Sequence, residues 1–152
     1  MSASKRVSDG PADFASWFES QNIRYFSATE FLSYFAINRR GVTNSMPPRA
    51  IWKNILPTLQ VVSELRGQLG QPITILSSYR SKAYNAAIGD AAPQSQHLHF
   101  RALDITVRNH PPRAVFALLS HWRDQGKFTG GLGLYPSFVH IDTRGTNATW
   151  GI

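Results

Sequence analysis

The residues whose types could do chemistry are concentrated in "SQHLHFRALDIT" (95–106), where His97 and His99 are followed by Asp104, and in "FVHIDT", where His140 precedes Asp142. A catalytic zinc takes three protein ligands, imidazole nitrogen or carboxylate oxygen among them, and leaves a fourth position to water. His97, Asp104 and His140 could supply such a set. A plainer reading fits the same residues: His97 and His99 on a surface loop, Asp104 in a turn or cap, His140 a half-buried histidine with its hydrogen bonds satisfied. His-x6-Asp with a distant histidine arises often by chance, so spacing alone leaves both readings open. The chain has no cysteine, which excludes thiolate ligands and disulfides and leaves His, Asp and Glu as metal ligands.

A shared site needs elements that aim these side chains together. In "RALDITV" Leu103, Ile105 and Val107 fall on one strand face and Asp104 and Thr106 on the other. In "SFVHIDT" Phe138, His140 and Asp142 share a face opposite Val139 and Ile141. Both strands therefore offer an apolar side to a core and a polar side to a cleft. "PITILSSYRS" is a further β-rich run, "SKAYNAAIGD" a short helix ended by Gly89, and "AAPQSQH" a loop.

Helices are expected before and between these strands. "ADFASWFESQNIRYFSATEFLSYFA" (12–36) spaces its aromatics helically and contains a cap-like "SATE", predicting two short helices. Trp17, Phe18, Tyr25 and Phe26 read as core. "NRRGVTNSMPP" (38–48) reads as an exposed loop. Apolar residues from Ile51 to Leu69 predict an amphipathic helix closed by Gly70, with Pro57 kinking it or marking its true start. "PPRAVFALLSHWRDQG" is a helix with Trp122 on its buried face. The fold class expected is α+β, a small, mainly antiparallel sheet with helices packed on one side. Residues 1–11 read as a flexible leader and 12–152 as one domain, helical to residue 70 and motif-bearing from 71.

At 152 residues the chain can bury one real core but not two. No apolar run is long enough to span a membrane, and the first residues lack the apolar middle of a secretory signal. Sixteen Lys and Arg against nine Asp and Glu give +7, which favours an anionic partner. The basic residues are scattered and carry no nucleic-acid motif, so nucleic acid is not the expected partner.

"SSYRSKAYN" (77–85), "SQHLHFRALDI" (95–105) and "GGLGLYPSFVHIDTRG" (130–145), taken in order, resemble the zinc D-Ala-D-Ala carboxypeptidase and L-alanyl-D-glutamate peptidase family. That family shares the hedgehog/DD-peptidase fold, and the likeness is greatest to its bacterial and phage murein peptidases. The resemblance implies that His97, Asp104 and His140 bind Zn2+, and that Arg80 holds a substrate carboxylate or developing oxyanion. It implies further that Ser78 and Tyr79 shape the strand end beside substrate, that Ser95 supports the ligands as a donor, and that the substrate is a peptidoglycan peptide. Trp150 could cap the cleft or anchor the C-terminus.

Two positions depart from the family pattern. Phe100 stands where many members have Gly, and Ser137 stands where better-known members place an acidic general base, three residues before the last histidine ligand. A hydroxyl cannot accept a proton at neutral pH. Asp142 is then the candidate base, with an orienting role toward His140 as its alternative, and His99 is the runner-up if its segment is extended. Asp90 and Asp124 are explained by a turn and a helix surface. The function expected is zinc-dependent cleavage of peptidoglycan stems or cross-links, by an enzyme made in the cytoplasm and acting at the wall, as a phage lysis enzyme or virion component would. A zinc-holding but catalytically silent peptide- or wall-binding module is the alternative. A monomer is expected, with recognition built into the catalytic domain itself.

Overall fold

The computed structural model describes residues 9–89 and 92–151. Two helices open it, α1 (Pro11–Ser20) and α2 (Ala28–Phe35), so the first helix begins at the last residue of the expected leader. Residues 1–8 of that leader lie outside the described residues. Each helix starts with an acid reaching back to its N-terminus: Asp13 accepts from Gly10 N at 3.1 Å and Glu30 from Ser27 N at 2.8 Å. The segment expected as a plain loop contains a small hairpin, β1 (Asn38–Arg39) and β2 (Val42–Thr43). A 3-10 turn (Arg49–Ile55) leads into α3 (Leu56–Leu69), whose second residue is Pro57, and Gly70 closes α3 with φ +65°.

The sheet is built from β3 (Ile73–Ser77), β4 (Ala102–Val107), β5 (Gly131–Leu134), β6 (Val139–Asp142) and β7 (Ala148–Trp150), in the order β3-β4-β6-β5-β7. Three pairs are antiparallel, but β7 runs parallel to β5. The sheet is thus mixed, because the chain turns at Gly145 and comes back alongside β5 instead of beyond β6. Two further helices complete the fold, α4 (Lys82–Ala87) after β3 and α5 (Pro112–Asp124) between β4 and β5.

One face of the sheet is the core. Leu103, Ile105, Leu132, Val139 and Ile141 are buried there with Leu59, Val62 and Leu65 of α3 and Val115 and Leu119 of α5. The aromatics of α1 and α2 form a second part of the same core, where Phe14, Phe31 and Phe35 surround Phe100 at 5.9–6.3 Å between ring centroids. Tyr25 departs from expectation: it is 44 % exposed, with φ +76°, and the guanidinium groups of Arg24 and Arg66 lie 5.0 and 5.5 Å from its ring. Its backbone conformation takes the ring out of the interior that Phe26 enters.

Candidate metal centre

β4 and β6 pair so that Asp104 lies opposite His140, and the alternation that sends Leu103, Ile105, Val139 and Ile141 into the core sends these two to the other face. On one flank β3 brings Ser77 opposite Asp104 after a bulge at Leu76, an extra residue that re-aims the strand end toward the site. On the other flank Gly133 lies opposite His140 and Trp150 opposite Gly133.

His97 reaches the same place from a 3-10 turn, Gln96–His99, held to the end of β3 by two hydrogen bonds. Its Nδ1 donates to the Ser78 carbonyl at 2.6 Å, and its own carbonyl accepts from Arg80 N at 3.1 Å. Ser95 Oγ accepts from His97 N at 3.2 Å. With Nδ1 committed, Nε2 is left facing Asp104 Oδ2 at 3.3 Å. His140 presents its other nitrogen: Nδ1 faces Asp104 Oδ1 at 3.1 Å, while Nε2 donates to Asp142 Oδ2 at 2.7 Å.

Ligand atoms of His97, Asp104 and His140 lie within 4.8 Å of one another, and all three residues are buried. A tetrahedron with bonds of about 2.0–2.2 Å has edges of roughly 3.4 Å, close to the two separations across Asp104. Each imidazole also has its outer nitrogen fixed by an oxygen, as metal-ligating histidines require. The residues present therefore fit a metal ion.

The charges are consistent with that use. Burial alone would raise the pKa of Asp104, but His97 and His140 hold its carboxyl well below the usual carboxylate range. Burial lowers the His97 pKa and outweighs the Asp104 carboxylate. Burial acts on His140 in the same direction, yet two carboxylate partners reverse it and raise its pKa.

Asp142 is fully buried. Burial would raise its pKa too, but His140, Arg144 and Gly131 N hold it low. Its Oδ1 accepts from Gly131 N, Arg144 N and Arg144 Nε at 2.9–3.1 Å, and Oδ2 accepts from Arg144 Nη2 as well as His140. Of the two roles weighed for Asp142, this arrangement favours orienting His140, because both oxygens are occupied.

Arg80 stands over the cluster, its Nη2 3.4 Å from Asp104 Oδ2 and its Nε 3.2 Å from Ser77 Oγ. A cleft of about 620 Å³ opens here, bordered by Arg80, Ser95, His97, Asp104, His140 and Trp150. The Trp150 ring lies 5.0 Å from that of His140, and its Nε1 donates to Tyr135 Oη at 2.9 Å. A larger concavity, about 800 Å³, lies along the α1–α2 connection and α3 and holds no histidine, so its size does not make it the reactive site.

Other expected site residues are not brought together. Ser78 and Tyr79 are buried and do not border the cleft: Ser78 contributes its carbonyl to His97, and the Tyr79 ring packs 6.3 Å from Phe100. His99 is exposed and outside the cleft, because its segment is a turn and not an extended strand. Ser137 is exposed and also outside, Asp124 ends α5, and Asp90 lies outside the described residues. Among the described residues bordering the cleft, Asp104 is the only carboxylate.

Sequence reasoning missed the partners. Arg144 follows Asp142 at the spacing of one strand face, which could have suggested the pair. Gly131 and Gly133 alternate in "GGLGL", and a Cβ on Gly133 would come 2.3 Å from Trp150 Nε1, on Gly131 2.5 Å from Asp142 Oδ2. Their spacing of two marks the side of β5 on which neighbouring side chains must lie flat.

The family model described as Peptidase M15 matches residues 24–142, from the α1–α2 connection through Asp142. No curated protein and no solved structure matches the chain. M15 peptidases are zinc-dependent, and the match spans most of the chain and every residue of the cluster, so this chain belongs to the peptidase M15 family.

Proposed function

We propose that the protein is a zinc metallopeptidase that hydrolyses peptide bonds in peptidoglycan stems or cross-links, as a carboxypeptidase or endopeptidase. The observation that carries the reading is the convergence of His97 Nε2, the Asp104 carboxylate and His140 Nδ1 at the floor of a cleft that Arg80 overhangs. A zinc ion held by these atoms would supply Lewis-acid polarisation of a carbonyl and acidification of water.

The chain's own residues do the rest. Ser78 O fixes the tautomer of His97 and Asp142 that of His140, so that each imidazole offers a lone pair inward. Arg80 receives a substrate carboxylate or the charge that develops on the attacked carbonyl, a task suited to a permanently charged fork of donors. Ser95 holds the backbone of His97, and Trp150 walls the cleft above His140. The +7 charge supports an anionic wall as the target. The reading extends to action at the wall or periplasm, as in phage lysis or within a virion, by a monomer.

A second reading is favoured by one observation: no described residue bordering the cleft offers a carboxylate other than Asp104. With Ser137 outside and Asp142 saturated, the domain would hold zinc and bind peptide without turnover. Defined muropeptides incubated with metal-loaded protein and analysed by mass spectrometry separate the two, beside His140→Ala and chelated controls. A product that both controls lack is expected and identifies the scissile bond. One zinc per chain with every muropeptide unchanged would instead establish the silent module.

A further inference from the structure

Asn44 follows the β1–β2 hairpin, in a segment whose composition is that of an exposed loop, yet it is only 4 % exposed. A buried carboxamide needs acceptors for its N–H groups and a donor for its oxygen. Asn44 has them all. Its Nδ2 donates to the Tyr79 carbonyl at 2.8 Å and to the Tyr34 carbonyl at 3.2 Å, and its Oδ1 accepts from Ser81 N at 2.8 Å. Two carbonyls and one N–H admit only one orientation of the amide. The backbone N–H of Asn44 donates to Ile37 O at 2.8 Å, so the residue is itself anchored at the end of α2.

The groups it holds belong to the strap that leaves β3 and carries Arg80. β3 ends at Ser77, so the peptide groups of residues 78–81 must find partners outside the sheet. Those partners alternate along the chain. Ser78 O and Arg80 N are taken by His97, through Nδ1 at 2.6 Å and through its carbonyl at 3.1 Å. Tyr79 O and Ser81 N are taken by Asn44. One carboxamide thus does for Tyr79 and Ser81 what a neighbouring strand does for β3. His97 depends on the strap because it sits on a 3-10 turn of four residues, and its Nδ1 proton is directed by a strap carbonyl. A displaced strap would release that proton and with it the choice of nitrogen facing Asp104.

We propose that Asn44 is a positioning residue of the metal centre, an inference that rests on reading His97, Asp104 and His140 as a metal site. Its carboxamide clamps the backbone on both sides of Arg80 and so fixes the Ser78 carbonyl that sets the tautomer of His97. Asn44 does not border the cleft and acts only through the strap. The N-terminal helices and hairpin thereby have a part in the site, although they supply none of its ligands.

The test uses the full chain as wild type, Asn44→Ser and Leu119→Ala, the last a variant of the fully buried face of α5. Nitrogen NMR of the imidazoles reads the His97 tautomer in metal-free protein, and competition with a chromophoric chelator reads zinc affinity. Wild type is expected to carry the His97 proton on Nδ1. Asn44→Ser, too short to reach all three partners, should mix the tautomers and bind zinc about tenfold more weakly. Leu119→Ala should lower Tm and match wild type in both readouts. A wild-type His97 protonated on Nε2 would overturn the assignment without recourse to a variant. So would an Asn44→Ser that matches wild type, or a loss of zinc affinity that follows Tm in both variants. If wild type takes up no zinc, the metal-site reading falls, and the tautomer comparison alone decides whether Asn44 positions His97.

Discussion

His140 Nε2 and Asp142 Oδ2 lie 2.7 Å apart, two residues along one strand, and this contact decides which nitrogen of His140 faces Asp104. With the Nε2 proton held by a carboxylate that Arg144 and Gly131 keep ionised, Nδ1 carries the free lone pair.

Removing that carboxylate is expected to weaken the metal site. Asp142→Asn and Asp142→Ala should lower zinc affinity by about 10- to 100-fold, measured by competition with a chromophoric chelator. Affinity equal to wild type together with lost turnover would move Asp142 from orienting His140 to transferring a proton.

Arg80→Ala is expected to separate metal holding from catalysis. Arg80 borders the cluster but is not one of its ligands, so zinc stoichiometry by elemental analysis should remain that of wild type. Turnover of a cleaved muropeptide, as kcat/KM, should fall by about 10²–10³, the usual loss for a group that stabilises developing charge. A variant that loses zinc would show that the 3.4 Å contact with Asp104 is structural.

The metal-free protein should be acid-sensitive in a definable window. Burial opposes ionisation of Asp104 and Asp142, yet their partners hold both pKa values below the unfolded one. A depressed carboxyl contributes stability that is present above about pH 4 and lost as pH falls through the folded value. His140, raised, contributes fully below about pH 6.5 and loses that contribution as pH rises through its folded pKa. His97, lowered by burial, has the opposite sign, its contribution being lost as pH falls. The Tm of chelated protein should therefore drop steeply below pH 4, and Asp142→Asn should flatten that limb. An unchanged slope in the variant would remove Asp142 from the account.

Phe100 is expected to carry much of the attachment between the N-terminal helices and the metal loop. It has φ +55° and is fully buried. Glycine would adopt that backbone without strain, but it would leave the aromatic core without its centre. Phe100→Ala should cost about 3–5 kcal/mol, the range for a buried Phe, and the left-handed strain remains because alanine keeps the Cβ. Phe100→Gly should recover part of the difference, read as a smaller fall in Tm by calorimetry.

The amino-acid sequence by itself determined the main helices and strands and brought His97, Asp104 and His140 forward as candidate ligands. Period-two alternation in "RALDITV" and "SFVHIDT" separates core from cleft residues with no knowledge of pairing, because a strand sends successive side chains to opposite faces. The proline and glycine boundaries of α3 and α5 were equally local. The tertiary structure alone decided what depends on register and on loops. β7 pairs parallel to β5 and lays Trp150 beside His140, a long-range contact that three residues of sequence do not encode. His99 leaves the site because residues 96–99 turn, and Asp142 is saturated because Arg144 and Gly131 converge on it from the turn beyond β6 and from β5. Pattern reveals which face a side chain takes; only packing of distant segments reveals what it meets there.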